Sequence, residues 1–323
     1  MKILAPLRDW TEAAPLRAAG ADELYCGLTP PGWEERFGRA WVHRRNPASA
    51  GLPGLEDLDR TVAAAGPVPV YVTLNAPFYP EGATPFLLDF ARELVEARGV
   101  RGLIVADLGL VLALRQAGLA GRVHLSSLAT CTNPGAAAFY RDLGVARVVL
   151  PRHLALAEIE ACAAAGVEVE VFLLNDGCVF EEGLCATTHA LGPFCLGDGE
   201  GAGGPEPGVR ERYAFWKWTL NNCGCQTSRG FQLGPCGLCA LPRLRDAGVA
   251  SLKVVGREAS LARKESSVRL AHEARRLALA GAGPERIREA VVALRGAPEL
   301  CRGAHLCYYP DVWAVPEGEA LAC

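Results

Sequence analysis

Residues 141–151 read Arg-Asp-Leu-Gly-Val-Ala-Arg-Val-Val-Leu-Pro, and this stretch contains the unit that predicts the fold. A helical segment reaches Gly144, and glycine readily adopts the left-handed conformation that ends a helix. An apolar, β-branched run follows at residues 147–151 and stops at a proline. A short apolar run bounded by turn signals is typical of a buried strand in a parallel sheet. The stretch therefore predicts a helix, a glycine C-cap and a strand.

The same unit recurs along the chain. Gly20 and Gly248 end similar helical segments just before apolar runs, and residues 164–167 repeat the phrase. The predicted strands are residues 2–7, 23–27, 68–74, 102–106, 123–127, 147–151, 168–174 and 251–255. Eight strands with helices between them predict an α/β fold, a closed (β/α)8 TIM-like barrel.

Two connections are too long to be simple loops. Residues 29–52 are rich in proline, tryptophan and arginine, and residues 175–241 form a cysteine-rich insertion after the seventh strand. Both leave carboxyl ends of strands, where barrel enzymes assemble their active sites. We predict one barrel over residues 1–280, including the insertion, followed by a C-terminal helix and an irregular tail over residues 281–323.

Composition narrows the class of protein. Half of the residues are apolar and 21% are charged, which excludes a disordered chain. The net charge of -3 is not typical of a protein with a surface that coats nucleic acid. RNA is a possible partner, but the charge does not indicate it. The N-terminus has no signal-peptide pattern, and no apolar run approaches the roughly 18 residues of a membrane span. We expect a soluble, cytoplasmic protein.

The cysteines are the strongest chemical signal. Seven of the thirteen fall within the insertion: Cys178, Cys185, Cys195, Cys223, Cys225, Cys236 and Cys239. Because the cytosol keeps thiols reduced, metal binding is a better explanation than disulfides. Cys178, Cys185, Cys195 and Cys239 would supply the four thiolates of an iron–sulfur cluster. Zinc held by Cys223, Cys225, Cys236 and Cys239 is the alternative, and isolated buried thiols are the third interpretation.

The remaining cysteines and histidines carry weaker signals. Core packing is the preferred interpretation for Cys26, Cys131 and Cys162. Cys301 and Cys307 are candidates for a second metal site, although core packing is favoured there too. His189 lies between two insertion cysteines and is interpreted as a loop residue.

Polar residues just past the predicted strands are the candidate ligand contacts, because a barrel binds its ligands at that rim. They are Asn75, Asp107, Ser126, Ser127, Arg152, Asn175, Lys253 and Arg257. Of these, Arg152, Arg257, Lys253, Asn75, Ser126 and Ser127 are predicted to bind substrate. Two arginines on one rim predict a site for a carboxylate or phosphate. No HExxH, GxSxG or phosphate-binding loop occurs, so the sequence indicates no catalytic residue.

Several stretches, taken in order, resemble one known family. They are residues 20–27 (GADELYCG), 70–75 (VYVTLN) and 149–152 (VLPR), the pair Cys178-x6-Cys185, and residues 237–241 (GLCAL) leading into 247–257 (AGVASLKVVGR). The series resembles the bacterial collagenase-like peptidases, family 32 among peptidases of unassigned mechanism. That family implies a barrel and, for several members, oxygen-independent hydroxylation of ubiquinone precursors or RNA bases, with prephenate the suggested oxygen donor.

The resemblance also implies a [4Fe-4S] cluster. Its matching ligands are Cys178, Cys185 and Cys239, and the third ligand stays open between Cys195 and Cys223, Cys225 or Cys236. The chain departs from the family at Asn175, where a His-Gly phrase is common, and at Val255, where an acidic residue is common. We therefore expect a divergent iron–sulfur barrel enzyme that binds an anionic small molecule and transfers a hydroxyl group to a small molecule or an RNA base. A hydrolase and a non-catalytic subunit paired with a paralogous barrel are the alternatives.

Overall fold

A computed structural model describes residues 1–38, 40–176, 178, 182–183, 235–296, 298–301 and 306–313, without the side chains of residues 299 and 300. The strands are β1 Lys2–Pro6, β2 Glu23–Leu28, β3 Gly51–Leu52, β4 Val70–Leu74, β5 Gly102–Val105, β6 Val123–Leu125, β7 Arg147–Val149, β8 Glu168–Leu174 and β9 Ser251–Val254. All pairings between them are parallel, and β1 pairs with both β9 and β2. Eight strands therefore close into a barrel, and β3 pairs with the last two residues of β2, Gly27 and Leu28.

Alternation along each strand decides which side chains fill the barrel. Leu4, Tyr25, Tyr71 and Ile104 form a cluster of their own inside it. Their sequence neighbours, such as Leu24 and the other outward residues, belong to the main core beneath the helices. Because successive strand side chains point to opposite faces, the barrel has a separate interior layer, as a (β/α)8 fold requires.

The helices cover the outside of the barrel. They are α1 Ala13–Ala18, α2 Trp33–Phe37, α3 Pro47–Ala50, α4 Leu55–Ala65, α5 Ala83–Arg92, α6 Leu108–Gln116, α7 Pro134–Asp142, α8 Leu156–Ala163, α9 Leu241–Asp246, α10 Leu261–Leu279 and α11 Pro284–Arg295. Asp107 caps α6 by accepting a hydrogen bond from Leu110 N at 2.7 Å. Gly20, Gly144 and Gly248 have positive φ angles just past α1, α7 and α9, which confirms them as C-caps.

A charge network fills the amino-terminal end of the barrel. Arg147 is 1% exposed, and its Nη1 lies 2.5 Å from Glu23 and 3.1 Å from Glu170. Glu170 also accepts a 3.0 Å bond from Lys253 Nζ. Buried charges are tolerated only when they are paired and hydrogen-bonded. The network therefore links the barrel floor to Lys253, which reaches the opposite end.

The barrel fold is confirmed, with two local differences. Five of the eight barrel strands end one or two residues before the predicted ends. The predicted loop at residues 29–52 contains α2, α3 and β3. Since β3 is not a barrel strand, β8 is the seventh barrel strand, and the insertion follows it. None of the helices described is both long enough and apolar enough to cross a membrane.

Candidate active site at the barrel mouth

A cavity of about 560 Å³, counting the space open to solvent, lies at the carboxyl ends of the strands. It is lined by Tyr25, Arg44, Arg45, Thr73, Asn75, Ile104, Ser126, Ser127, Leu128, Phe172, Asp176, Glu182, Lys253, Val255, Gly256 and Arg257. Five of the six predicted substrate contacts are among these residues. The sixth, Arg152, lies beside the cavity and pairs with two of its acidic lining residues.

Arg257 is a buried positive charge that lines the cavity. It is 4% exposed, and its Nη1 donates to Thr73 Oγ1 at 2.9 Å. Its Nη2 lies 3.5 Å from His43 Nδ1. Among the residues described, no carboxylate lies within ion-pair distance of this guanidinium. Burial lowers the pKa of Arg257, because the charged form has lost its water. An anion in the cavity would restore the missing counter-charge.

His43 and Gly27 build the wall behind Arg257. Burial and the neighbouring Arg257 charge hold the pKa of His43 well below its usual range, so the imidazole is neutral. A Cβ at Gly27 would overlap Arg257 Nη1 and stand 2.6 Å from His43 Nε2. An alanine at position 27 would therefore force the Arg257 or His43 side chain to move.

Lys253 is less available to bind an anionic ligand than its position at the rim suggests. Its Nζ bonds to Glu170 at 3.0 Å and lies 4.6 Å from the centroid of the Tyr25 ring. Glu170 is fully buried, so it balances much of the lysine charge. Lys253 lines the cavity as half of an ion pair, whereas Arg257 has no such partner in the described residues.

Glu182 is a buried carboxyl group between Cys178 and Cys185. It accepts hydrogen bonds from Ser127 Oγ at 2.6 Å and Arg152 N at 2.9 Å. Burial and the nearby Asp176 charge raise the pKa of Glu182 to about 7, against the opposing effect of Arg152. A group that titrates near neutral pH is suited to proton transfer.

The remaining rim residues form an ordered polar edge. Asn75 Oδ1 accepts from Arg44 N at 3.1 Å, and Asn75 Nδ2 donates to Ser126 Oγ at 3.3 Å. Ser126 starts a short 3-10 turn, Ser127–Ala129, and Ser127 donates to Glu182. These contacts hold the amide and hydroxyl groups in place, as expected of groups that orient a ligand.

Only part of the predicted cluster site is described. The carbonyl oxygen of Cys178 accepts a 2.9 Å bond from Arg152 Nε, which places Cys178 near the cavity. Cys239 lies in the 3-10 turn Leu238–Ala240 and does not line the cavity. Cys185, Cys195, Cys223, Cys225 and His189 fall outside the described residues. Within the described ranges, no three potential ligands stand close enough together to hold a metal ion.

The other cysteines and the rim candidates are accounted for. Cys26, Cys131 and Cys162 are completely buried in the main core. Burial raises the pKa of Cys26 to about 12, so this thiol is protonated and is not an activated nucleophile. Asp107 caps α6, and Asn175 donates to Ser267 Oγ at 2.9 Å.

Sequence reasoning missed the acidic and inward-facing residues of the cavity. Tyr25 and Thr73 point into the barrel two residues before the rim positions at Gly27 and Asn75, so strand alternation was the available signal. Asp176 and Glu182 lie in the insertion, where no periodic pattern exists. Arg44 and Arg45 belong to the arginine-rich segment of residues 29–52, whose composition assigns no role to individual residues.

Comparison with known proteins gives a consistent family. A sequence profile of Peptidase family U32 matches residues 8–299. The tRNA hydroxylation protein P1 of Bacillus subtilis (strain 168) is 27% identical over 199 residues, 59% of this chain and 46% of that protein. The 23S rRNA 5-hydroxycytidine C2501 synthase of Escherichia coli (strain K12) is 30% identical over 194 residues, 59% of this chain and 27% of that protein. The matches span less than half the length of these relatives.

Comparison with solved structures gives matches of low sequence identity. A structure described as a U32 peptidase is 16% identical, with a TM-score of 0.42, and the match covers 54% of this chain and 68% of that chain. A dihydrodipicolinate synthase from Rhodopseudomonas palustris is 10% identical, with a TM-score of 0.46, over 93% and 81% of the two chains. The profile match extends from the first βα unit to the C-terminal helix, so this chain belongs to peptidase family U32.

Proposed function

We propose that this chain is an iron–sulfur enzyme that transfers a hydroxyl group to an RNA base or a small molecule, using an anionic co-substrate bound at the barrel mouth. The observation that best supports this proposal is the environment of Arg257. Its guanidinium is buried and has no carboxylate partner among the described residues, and it lies in a cavity edged by amide and hydroxyl groups. The names of the relatives, a tRNA hydroxylation protein and an rRNA hydroxycytidine synthase, support the choice of reaction.

The chain's own residues divide into binding and proton-handling groups. Arg257 would bind a carboxylate, and the donors of Asn75 and Ser126 would orient it. Glu182 would accept or release a proton near neutral pH at its carboxyl oxygens. Ile104, Phe172 and Val255 would exclude water from one wall of the cavity.

The cluster ligands would come from the insertion. Cys178 and Cys185 begin the set, which sequence reasoning completes with Cys195 and Cys239. Thiolates are the donors that iron–sulfur clusters require, and Cys178 lies next to Arg152 at the edge of the cavity. When bound, the cluster would supply one-electron transfer to the reaction.

Hydroxylation without molecular oxygen needs a donor. Replacing a C–H bond by C–OH removes two electrons from the acceptor, so the co-substrate must give up a hydroxyl group and take those electrons. Prephenate, the donor implied by the family resemblance, is a dicarboxylate and matches a site built around an arginine. An RNA base would have to leave its stack to enter the cavity.

The test is an anaerobic reaction of the purified protein with prephenate and unmodified tRNA or rRNA, followed by mass spectrometry of the digested nucleosides. We expect a nucleoside heavier by one oxygen atom, formed only with prephenate, and greatly reduced formation by the Arg257→Ala variant. An unmodified nucleoside profile for tRNA, rRNA and quinone precursors, from protein with a full cluster, would contradict the proposal.

The two alternatives predicted from the sequence gain no specific support. In the described part of the cavity, Ser127 donates to Glu182 and no histidine lies in the lining, so a serine hydrolase arrangement is not formed there. The non-catalytic subunit of a heterodimer stays a prediction, and co-purification with a second barrel protein would support it.

A further inference from the structure

The C-terminal tail contacts the cavity wall from behind. Cys236 N donates to Leu306 O at 2.9 Å, and Tyr308 N donates to Cys236 O at 3.0 Å. These two bonds fix the tail beside the end of the insertion. They also bring two consecutive tyrosines, Tyr308 and Tyr309, to the end of β8, where both hydroxyl groups bond to the backbone.

Tyr308 forms a double hydrogen bond with the backbone of Asp176. Its hydroxyl donates to Asp176 O at 2.8 Å and accepts from Asp176 N at 2.6 Å. Asn175, the preceding residue, has a φ of 78°, which is uncommon for residues other than glycine. Such a conformation persists where the surrounding structure holds it. One tyrosine hydroxyl therefore satisfies both backbone polar groups of a residue that follows directly on this turn conformation.

The turn held by Tyr308 carries the polar groups at the edge of the cavity. Asp176 Oδ2 lies 3.7 Å from Arg152 Nη1, and Asp176 Oδ1 accepts a 3.3 Å bond from Cys178 N. Arg152 Nη1 also lies 3.3 Å from Glu182, and Arg152 Nε donates to Cys178 O. A shift of Asp176 would therefore displace both the first predicted cluster ligand and the carboxyl group proposed to handle protons.

The ring of Tyr308 supports the apolar side of the cavity. Val149, Phe172 and Val255 form a small buried cluster, and Tyr308 packs against it. The ring centroids of Tyr308 and Phe172 lie 6.5 Å apart. Phe172 and Val255 line the cavity, whereas Tyr308 does not. Tyr308 therefore acts through the residues that line the cavity and not on a ligand.

We infer that Tyr308 is a positioning residue of the candidate active site, which holds the turn of Asp176 and Cys178 in place from behind the cavity wall. The role of that turn in catalysis rests on the proposed function, whereas the contact of Tyr308 with Asp176 does not. Tyr308 lies outside residues 8–299, over which the chain matches the family profile, so the family match assigns it no role.

Tyr309 provides a matched control on the same tail. It is 2% exposed, and its hydroxyl donates to Phe172 O at 2.8 Å. Phe172 lies within β8, which pairs with β7 and β9, so strand pairing holds it without that hydroxyl. Tyr308→Phe and Tyr309→Phe each remove one hydroxyl that bonds to the backbone. Only Tyr308→Phe should release the turn.

The experiment compares the two variants with wild type as anaerobically purified holoprotein. Deuterium uptake by peptides that cover residues 173–176 should be about 2- to 10-fold faster in Tyr308→Phe, the effect of losing a hydrogen bond, and unchanged in Tyr309→Phe. Iron release to a ferrous-iron chelator should be faster in Tyr308→Phe alone, because the peptide that carries Cys178 has lost its support.

Turnover separates positioning from ligand binding. With prephenate and unmodified tRNA or rRNA, Tyr308→Phe should lower kcat about 10-fold or more and leave the KM for prephenate within about twofold. The KM should hold because Arg257, the proposed prephenate contact, is oriented by Thr73 and His43 and not by the tail. Tyr309→Phe should keep wild-type values of both constants.

Three results would overturn the inference. Equal deuterium uptake in the two variants would show that Tyr308 does not hold the turn. Faster uptake with wild-type iron release and kcat would show that the turn does not position the site. A larger change in the KM for prephenate than in kcat would make Tyr308 part of ligand binding. A wild type without iron and without product would contradict the proposed function instead, and uptake alone would then decide whether Tyr308 holds the turn.

Discussion

Glu182 makes the stability of the folded protein depend on pH in a predictable way. Its pKa in the folded state is about 7, raised from 4.5 by burial and by Asp176. One pKa unit corresponds to about 1.4 kcal/mol, so the full effect is about 3 kcal/mol. A raised carboxyl pKa gives stability that is complete below pH 4.5 and is lost as the pH rises through 7. Between pH 5.5 and 8, the loss from this group should be about 2 kcal/mol.

The Glu182→Gln variant isolates that contribution. Glutamine has the shape of the protonated acid and does not titrate, so the variant should lose about 2 kcal/mol less than wild type between the two pH values. Urea unfolding at pH 5.5 and 8 measures the difference, and titrating groups distant from Glu182 cancel in the comparison. Glu35→Gln, at an exposed position, is the matched control and should follow wild type. Parallel curves for wild type and Glu182→Gln would refute the reasoning.

Three further changes test the cavity. Arg257→Ala should weaken binding of prephenate about 10- to 100-fold by calorimetry, the effect of losing a charged hydrogen bond, and unchanged affinity would contradict the anion site. Gly27→Ala should displace the Arg257 and His43 side chains. It should therefore destabilise the fold by about 1–3 kcal/mol in urea unfolding and weaken prephenate binding. Wild-type stability and affinity would show that these side chains move at little cost. Lys253→Met should remove one of the cations that pair with the buried Glu170, and so should destabilise the fold more than it weakens prephenate binding. A larger loss of prephenate affinity than of stability would indicate that Lys253 contacts the ligand.

The barrel was predictable because its signal is local and repeated. Each strand is a short apolar run, and each preceding helix ends at a glycine that the structure shows in a left-handed conformation. The strand β3 was missed because two residues, Gly51 and Leu52, carry no periodic pattern. Strand ends were placed too far along the chain because rim residues such as Leu150 and Pro151 are also apolar.

The positions of the cavity residues were predictable from the sequence, but their ion pairs and hydrogen bonds were not. Counting to the ends of strands found Arg257, Asn75 and Ser126. The pairing of Lys253 with Glu170 depends on the register of β8 against β9, which no local pattern specifies. Arg152 likewise forms an ion pair with Glu182, which lies 30 residues further along the chain. That segment has no periodic pattern from which the pair could be predicted.

The contact between residue 236 and the C-terminal tail shows the same limit over a longer distance. The C-x2-C spacing of Cys236 and Cys239 was visible in the sequence. The proximity of Cys236 to Cys307 follows from the tail pairing beside Cys236, which only the folded chain reveals.

The most direct test of the proposed function is metal and sulfide analysis of the anaerobically purified protein, with its visible spectrum. About four irons and four sulfides per chain and a broad brown absorbance are expected. Protein that contains neither iron nor sulfide, even after anaerobic reconstitution with both, would contradict the claim that this barrel is an iron–sulfur enzyme.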